Sequence, residues 1–167
     1  MKAIAFDKIL LKTAFCCMAS DGHIDTREVE IIKELCNKSH YFNDFDFIKE
    51  IQELVEEINQ DTNAFIFNLL KMLDDQNFSL EEELTLIKFS IETIKADDHI
   101  EYSEIKFFKV LRGHFKLKNE TILEHYPDIE SFLQVDIDKP ELVGNYLQSH
   151  EMPDFIKIDY SLLEDKD

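Results

Sequence analysis

Hydrophobic residues recur along this chain at helical spacing, with polar residues between them, and the pattern predicts a series of helices. The first segment, residues 3–19, is apolar around most of its circumference, because only Asp7, Lys8 and Lys12 form a thin polar stripe. We therefore expect a central, largely buried first helix. Further helices are predicted over residues 26–37, 42–58, 61–73, 79–96 and 102–114, and a shorter one from about residue 119 ends before Pro127.

The clearest start signal is a capping box at Ser79, because Glu82 follows it three residues later. Asp61 is a candidate cap for the preceding helix. The helix that Ser79 opens has a predicted core face of Leu80, Leu84, Ile87, Ile91 and Ile94. Its opposite face, predicted to be solvated, consists of Glu81, Thr85, Lys88, Glu92 and Lys95.

Only three glycines and three prolines interrupt the 167 residues, and hydrophobic residues make up 44% of the chain. Few sharp turns and enough apolar surface for a core predict an all-α, compact helical bundle. We assign residues 1–118 to the helical domain. Residues 119–167 are predicted to be a C-terminal extension that packs on this domain and ends in a mobile acidic stretch, because the periodicity fades beyond about Leu133.

The chain carries 36 acidic and 18 basic residues, a formal charge of -18, which repels nucleic-acid phosphates and attracts cations and basic protein surfaces. No apolar run approaches the ~20 residues needed to cross a bilayer, and the start of the chain lacks a signal-peptide pattern. We expect a cytoplasmic protein that neither inserts into membranes nor binds nucleic acid. One local basic set, either a solvated face or a docking patch for an acidic partner or for residues 151–167, comprises Lys106, Lys109, Arg112, Lys116 and Lys118.

Three cysteines, Cys16, Cys17 and Cys36, form no CxxC pair, and adjacent residues of a helix point to different faces. They are predicted to be reduced thiols that pack in the core. The alternative use of the vicinal pair is the capture of a soft metalloid.

An internal repeat gives the strongest functional signal. Sliding the sequence by 76 positions places D-G-H-I-D-T-R-E, from Asp21 to Glu28, over D-D-H-I-E-Y-S-E, from Asp97 to Glu104. The match continues into the flanking apolar positions, so the predicted repeated unit is helix, acidic loop, helix. Each loop resembles the second half of a calcium-binding EF-hand loop, but the positions of the first ligands hold Cys17 and Thr93. Neither copy is an ordinary EF-hand.

Two interpretations of these acidic corners remain open. In the first, the carboxylates cap the following helices, and Glu28 reaches back to the first amides of its helix. In the second, a pseudo-two-fold arrangement brings the corners together around a divalent cation, with calcium or magnesium preferred over zinc because the ligands are hard oxygens. The candidate metal ligands are Asp21, Asp25, Glu28, Asp97, Glu101 and Glu104.

The pattern M-A-S-D-G-H-I-D-x-x-E after a buried first helix, with I-K-A-D-D-H-I-E-x-x-E about 75 residues later, resembles the TerB-like family. That family includes the tellurite-resistance protein TerB and a domain of some membrane-anchored DnaJ-type co-chaperones. The resemblance covers roughly residues 1–118 and implies a bundle of about seven helices with internal two-fold character, a metal site at the matched acids and a scaffold or stress-response role. Asp98 and the C-terminal extension depart from the family's pattern.

Other chemistry finds little support in the sequence. None of the six histidines lies three residues after a glutamate, as a ferritin-like di-iron site requires, and there is no HExxH, GxSxG or glycine-rich phosphate motif. We therefore expect a non-catalytic protein with a protein partner and no organic cofactor. The alternative is a metal-dependent enzyme in which the paired carboxylates of the corners serve general acid-base chemistry. The oligomeric state is left open by the sequence.

Overall fold

In the computed structural model, the described residues are 5–19, 26–39, 42, 46–96, 102–129 and 133, without the side chains of residues 26 and 102–104. This part of the chain is all-α, which confirms the predicted fold class. Its α-helices are α1 (Phe6–Ala19), α2 (Thr26–Lys38), α3 (Phe47–Gln60), α4 (Thr62–Asp75), α5 (Leu80–Ile94), α6 (Tyr102–Arg112) and α7 (Asn119–His125), followed by a short 3-10 helix at Pro127–Ile129.

Side-chain caps fix where the middle helices begin. The Asp46 carboxylate accepts a hydrogen bond from the Lys49 amide at 3.2 Å, so α3 starts five residues later than its apolar pattern predicted. Asp61 accepts from the Ala64 amide at 3.0 Å and caps α4, as predicted. At α5 both hydrogen bonds of the predicted capping box form, from the Glu82 amide to the Ser79 hydroxyl and from the Ser79 amide to the Glu82 carboxylate.

The first helix is the centre of the bundle, as its apolar circumference predicted. Every side chain of α1 from Ile9 to Ala19 is buried, and the helix packs most extensively against α5 and also against α2, α3, α4 and α6. Lys12 was predicted to lie on a polar stripe, but it too is buried. Its ammonium lies 3.1 Å from a carboxylate oxygen of Glu57 and 4.4 Å from the ring centroid of Phe65, so an ion pair and a cation–π contact offset its desolvation.

Each acidic corner joins a pair of helices, α1 with α2 and α5 with α6, and the two pairs pack on each other reciprocally. The helix α2 packs on α5, and α6 packs on α1. The starts of α2 at Thr26 and of α6 at Tyr102 are 76 residues apart, which equals the offset of the sequence repeat. Duplication of the unit itself remains a prediction.

The predicted core face of α5 is correct at its C-terminal end and wrong at its start. Ile87, Ile91 and Ile94 are buried, but Leu80 is 58% exposed and Leu84 is half-buried. The buried face of the first turns is centred instead on Glu83, Leu86 and Ser90, which the neighbouring helices cover. An apolar pair therefore remains on the surface at the start of α5.

The chain after residue 118 contributes to the same core as far as it is described. Ile122 of α7 and Ile129 of the 3-10 helix are fully buried, and Leu133 packs against the core. The rest of the predicted extension, with its acidic end, lies outside the described residues. Among the described helices, none has the length and apolarity required to span a membrane.

Candidate functional site

Of the six predicted metal ligands, the structure describes the side chain of Glu28 alone. Asp21, Asp25, Asp97 and Glu101 lie outside the described residues, and so does the side chain of Glu104, although its backbone belongs to α6. Glu28 lies in the first turn of α2 and is only 1% exposed. A candidate ligand at the first corner is therefore a buried carboxylate.

Burial of a carboxylate requires compensation, because removing the charge from water costs several kcal/mol unless partners replace the water. The amino end of α2 supplies part of it, since the helix dipole favours negative charge in the first turn. Glu28 makes a further interaction. Its Oε2 atom is buried and accepts no hydrogen bond from a described residue. This environment suits either a helix cap or a carboxylate that shares a cation with neighbouring acids.

Elsewhere in the described part of the chain, no group of three or more histidine, cysteine, aspartate or glutamate side chains is arranged to hold a metal ion. Five of the six predicted ligands fall outside the region to which this statement applies. The corner cation site therefore stays a prediction, carried by the repeat and by the burial of Glu28.

Comparison of the chain with protein-family models, with curated proteins and with solved structures finds no significant match. The resemblance to the TerB-like family thus rests on the two spaced acidic motifs and the buried first helix alone. It enters the functional argument as a proposal.

The three thiols are buried, as predicted. Burial is the main reason that the pKa of Cys16 lies well above its usual value; the neighbouring Cys17 adds to the shift, and the Lys12 ammonium opposes it. Burial, with a smaller contribution from Asp7, raises the pKa of Cys36 to about 12. Because the thiolate is the reactive form, Cys16 and Cys36 are poor nucleophiles and poor ligands for a soft metalloid.

We expect the native protein to react with the thiol reagent DTNB at least roughly a hundredfold more slowly than the chain unfolded in guanidinium, because reaction must await opening of the core. Raising the pH from about 7 to about 9 should accelerate the native reaction by at most the roughly 25-fold that free cysteine shows, because the opened core exposes thiols with the ordinary pKa near 8.5. Both rates are measured by absorbance. Rapid native labelling of two equivalents would contradict this expectation and reopen a role for the Cys16–Cys17 pair.

A polar cluster that the sequence analysis missed joins α5 to the loop between α6 and α7. Glu83 is 4% exposed, and its two carboxylate oxygens accept hydrogen bonds from the amides of Lys116 at 3.1 Å and Leu117 at 2.9 Å. Glu83 stands in a run of three acids at the start of α5, so its role had no distinctive sequence signal. Its spacing to Leu86, Ile87 and Ser90 could have placed it on the buried face.

Arg112 completes the cluster from the end of α6. Its guanidinium donates to the carbonyl oxygens of Phe115 and Leu117 and to the side chain of Asn119. Burial lowers the pKa of Arg112, whereas the nearby Glu83 and Glu120 act to raise it. Lys116, another member of the predicted basic set, donates a hydrogen bond to the Asn77 side chain at 3.1 Å. Arg112 therefore departs from the predicted solvated face, because it is half-buried and holds the loop, whereas Lys116 and Lys118 are exposed.

Proposed function

We propose that this chain is a non-catalytic, TerB-like helical module that binds a protein partner and senses a divalent cation at its two acidic corners. The observation that carries the proposal is the burial of Glu28 in the first turn of α2, directly after the first corner. The reciprocal packing of α2 on α5 and of α6 on α1 supports it, because a pseudo-two-fold arrangement of the two helix pairs would produce this pattern. A stress or tellurite-resistance context comes from the family resemblance.

The proposed cation ligands are Asp21, Asp25, Glu28, Asp97, Glu101 and Glu104. Their hard carboxylate oxygens favour calcium or magnesium. The formal charge of -18 favours cation binding as well, because neutralising a cluster of acids relieves their mutual repulsion. A cation held between residues from both helix pairs would stabilise the folded bundle and order the corner surface for a partner.

A purely structural adaptor is the second candidate, and one observation favours it. Glu28 is the third residue of α2, which is the position from which a glutamate completes a capping box. In that function the acids stabilise helix starts, and the module recognises its partner without a cation.

The two candidates differ in how the thermal midpoint responds to cations. For the chelator-treated protein, we expect calcium or magnesium at about a hundred times its dissociation constant to stabilise the fold by about 2.7 kcal/mol. This corresponds to a rise in the midpoint of about 5–10 °C for a chain of this size. Differential scanning calorimetry at matched ionic strength measures the rise and separates specific binding from general screening.

Glu28→Gln should abolish most of this rise, because the amide removes the charge that the cation neutralises. Glu30→Gln is the matched control, since Glu30 lies two residues further along α2 and is exposed. Equal midpoints in all salts would refute cation sensing and leave the adaptor function. An unchanged response in Glu28→Gln would remove Glu28 from the ligand set.

A further inference from the structure

The first turns of α5 carry an open groove of about 290 Å³ beside the chain segment that follows α7. Its lining residues are Leu80, Glu81, Leu84, Thr85, Lys88 and Tyr126. Leu80 and Phe67 are the large hydrophobic side chains that the described surface exposes, and Leu80 lies in this groove. An apolar groove with charged residues at its edges is the form in which proteins present a helix-binding surface.

Two opposite charges on α5 line the groove, Glu81 in the first turn of the helix and Lys88 about two turns later. Glu81 and Lys88 are both exposed, and neither makes an ion pair with any residue in the described part of the chain. They are seven residues apart, so they lie on the same side of the helix and about 10.5 Å from each other along its axis. Leu84 and Thr85 lie midway between them.

We propose that this groove is the contact face of a symmetric dimer, in which α5 packs antiparallel against α5 of a second copy of this chain. A two-fold axis that passes between Leu84 and Thr85 places Glu81 opposite the partner's Lys88, and the same pairing occurs a second time by symmetry. Leu84 then lies at the centre of the contact, where apolar side chains belong.

The charges identify a second copy as the occupant of the groove. The sequence positions 81 and 88 are exchanged by rotation about their midpoint, so the surface is complementary to itself. A parallel arrangement would place Glu81 opposite the partner's Glu81, and like charges in contact oppose it. Binding of an unrelated helix needs no such symmetry in the groove, so the symmetric placement of the charges favours a second copy.

The formal charge of -18 on each copy limits the strength of this contact. At physiological ionic strength the screening length is about 8 Å, so the long-range repulsion is largely screened while the two ion pairs in contact persist. The face is small compared with stable interfaces, and we expect a dissociation constant of about 10–100 µM. The dimer does not depend on the corner acids, so it goes beyond the proposed cation function.

Sedimentation equilibrium of the full chain between about 5 µM and about 500 µM tests the dimer directly. Lys88→Glu and Glu81→Lys should each weaken dimerisation roughly tenfold, because each replaces two ion pairs by two like-charge contacts. The doubly substituted chain, Glu81→Lys with Lys88→Glu, should recover the original dissociation constant within about threefold, since both pairs form again in the reversed sense.

The single substitutions Glu81→Lys and Lys88→Glu change the net charge in opposite directions, so a weaker dimer in both variants cannot result from net charge. Glu81→Lys makes the chain less negative, so general repulsion predicts stronger dimerisation, whereas the proposed contact predicts weaker dimerisation. Lys71→Glu is the matched control for Lys88→Glu, because Lys71 is exposed on α4 and does not line the groove. It should leave the dissociation constant unchanged within about threefold.

Carbodiimide cross-linking of an equimolar mixture of natural-abundance and nitrogen-15 chains provides a second measurement. Because this reagent joins a carboxylate to an amine in direct contact, we expect a peptide that joins Glu81 of one isotopic form to Lys88 of the other. A monomer at every concentration, or a dimer insensitive to these charges, would overturn the proposal. The groove would then have another occupant, such as a foreign helix or the chain's own residues after 133.

Discussion

Replacing Phe65 with alanine should lower the free energy of unfolding by about 4 kcal/mol, the largest effect that we expect from one substitution. Phe65 is 1% exposed and packs edge-on against Phe15 of the central helix, with 6.0 Å between ring centroids. Its ring also lies under the Lys12 ammonium. The substitution therefore removes apolar burial, an aromatic contact and a partner of a buried cation together.

The same helix supplies the control, because Phe67 lies two residues away and is 55% exposed. Phe67→Ala should cost less than about 1 kcal/mol, since most of its side chain is already in water. Urea titration followed by circular dichroism measures both values. Similar losses for the two variants would mean that α4 is rotated relative to its described orientation.

Capping signals in the sequence predicted two helix starts correctly, because a cap depends only on residues that are close together along the chain. Ser79 and Glu82 form the hydrogen bonds of the capping box, and Asp61 caps α4, at the positions where their spacing predicted them. The start of α3 was less accurate, because Phe42 also fits the apolar period of that helix. The side chain of Asp46 decides the boundary, and it provided a cap signal that periodicity alone did not use.

Tertiary contacts explain where the sequence prediction of burial was wrong. Lys12 is a polar residue by any scale, yet the positions of Glu57 and Phe65, 45 and 53 residues away along the chain, allow it to be buried. Leu80 is apolar but exposed, because the neighbouring helices cover the other side of the first turns of α5. Neither outcome follows from helical periodicity, which defines a face without specifying which partner covers it.

The candidate site was predictable as a set of residue types in a repeat. The repeat located Glu28, and the structure adds that this carboxylate is buried, which sequence alone could not establish. Convergence of the two corners is a tertiary property, because it depends on how α2 packs on α5 and α6 on α1, which a local repeat does not encode. The cation titration and the Glu28→Gln variant therefore test the part of the site that the structure describes.

The second large effect is expected at Glu83, the buried carboxylate that joins α5 to the loop between α6 and α7. Glu83→Ala should lower the free energy of unfolding by about 3 kcal/mol, because the amides of Lys116 and Leu117 lose their acceptor and the half-buried Arg112 loses a nearby negative charge. Glu83→Gln should cost about 1–2 kcal/mol, since its amide retains one acceptor oxygen but no charge.

Glu53→Ala is the matched control, because Glu53 is an exposed glutamate of α3, and we expect a loss within about 0.5 kcal/mol. Hydrogen exchange identifies the mechanism, since the amides of Lys116 and Leu117 should exchange slowly in the original chain and at least roughly tenfold faster in Glu83→Ala. Faster exchange at these two amides, with α1 and α4 unchanged, would locate the loss in the loop. A loss below about 1 kcal/mol would mean that water replaces the carboxylate, and Glu83 would then be a tolerated buried charge that contributes little to the attachment of the loop.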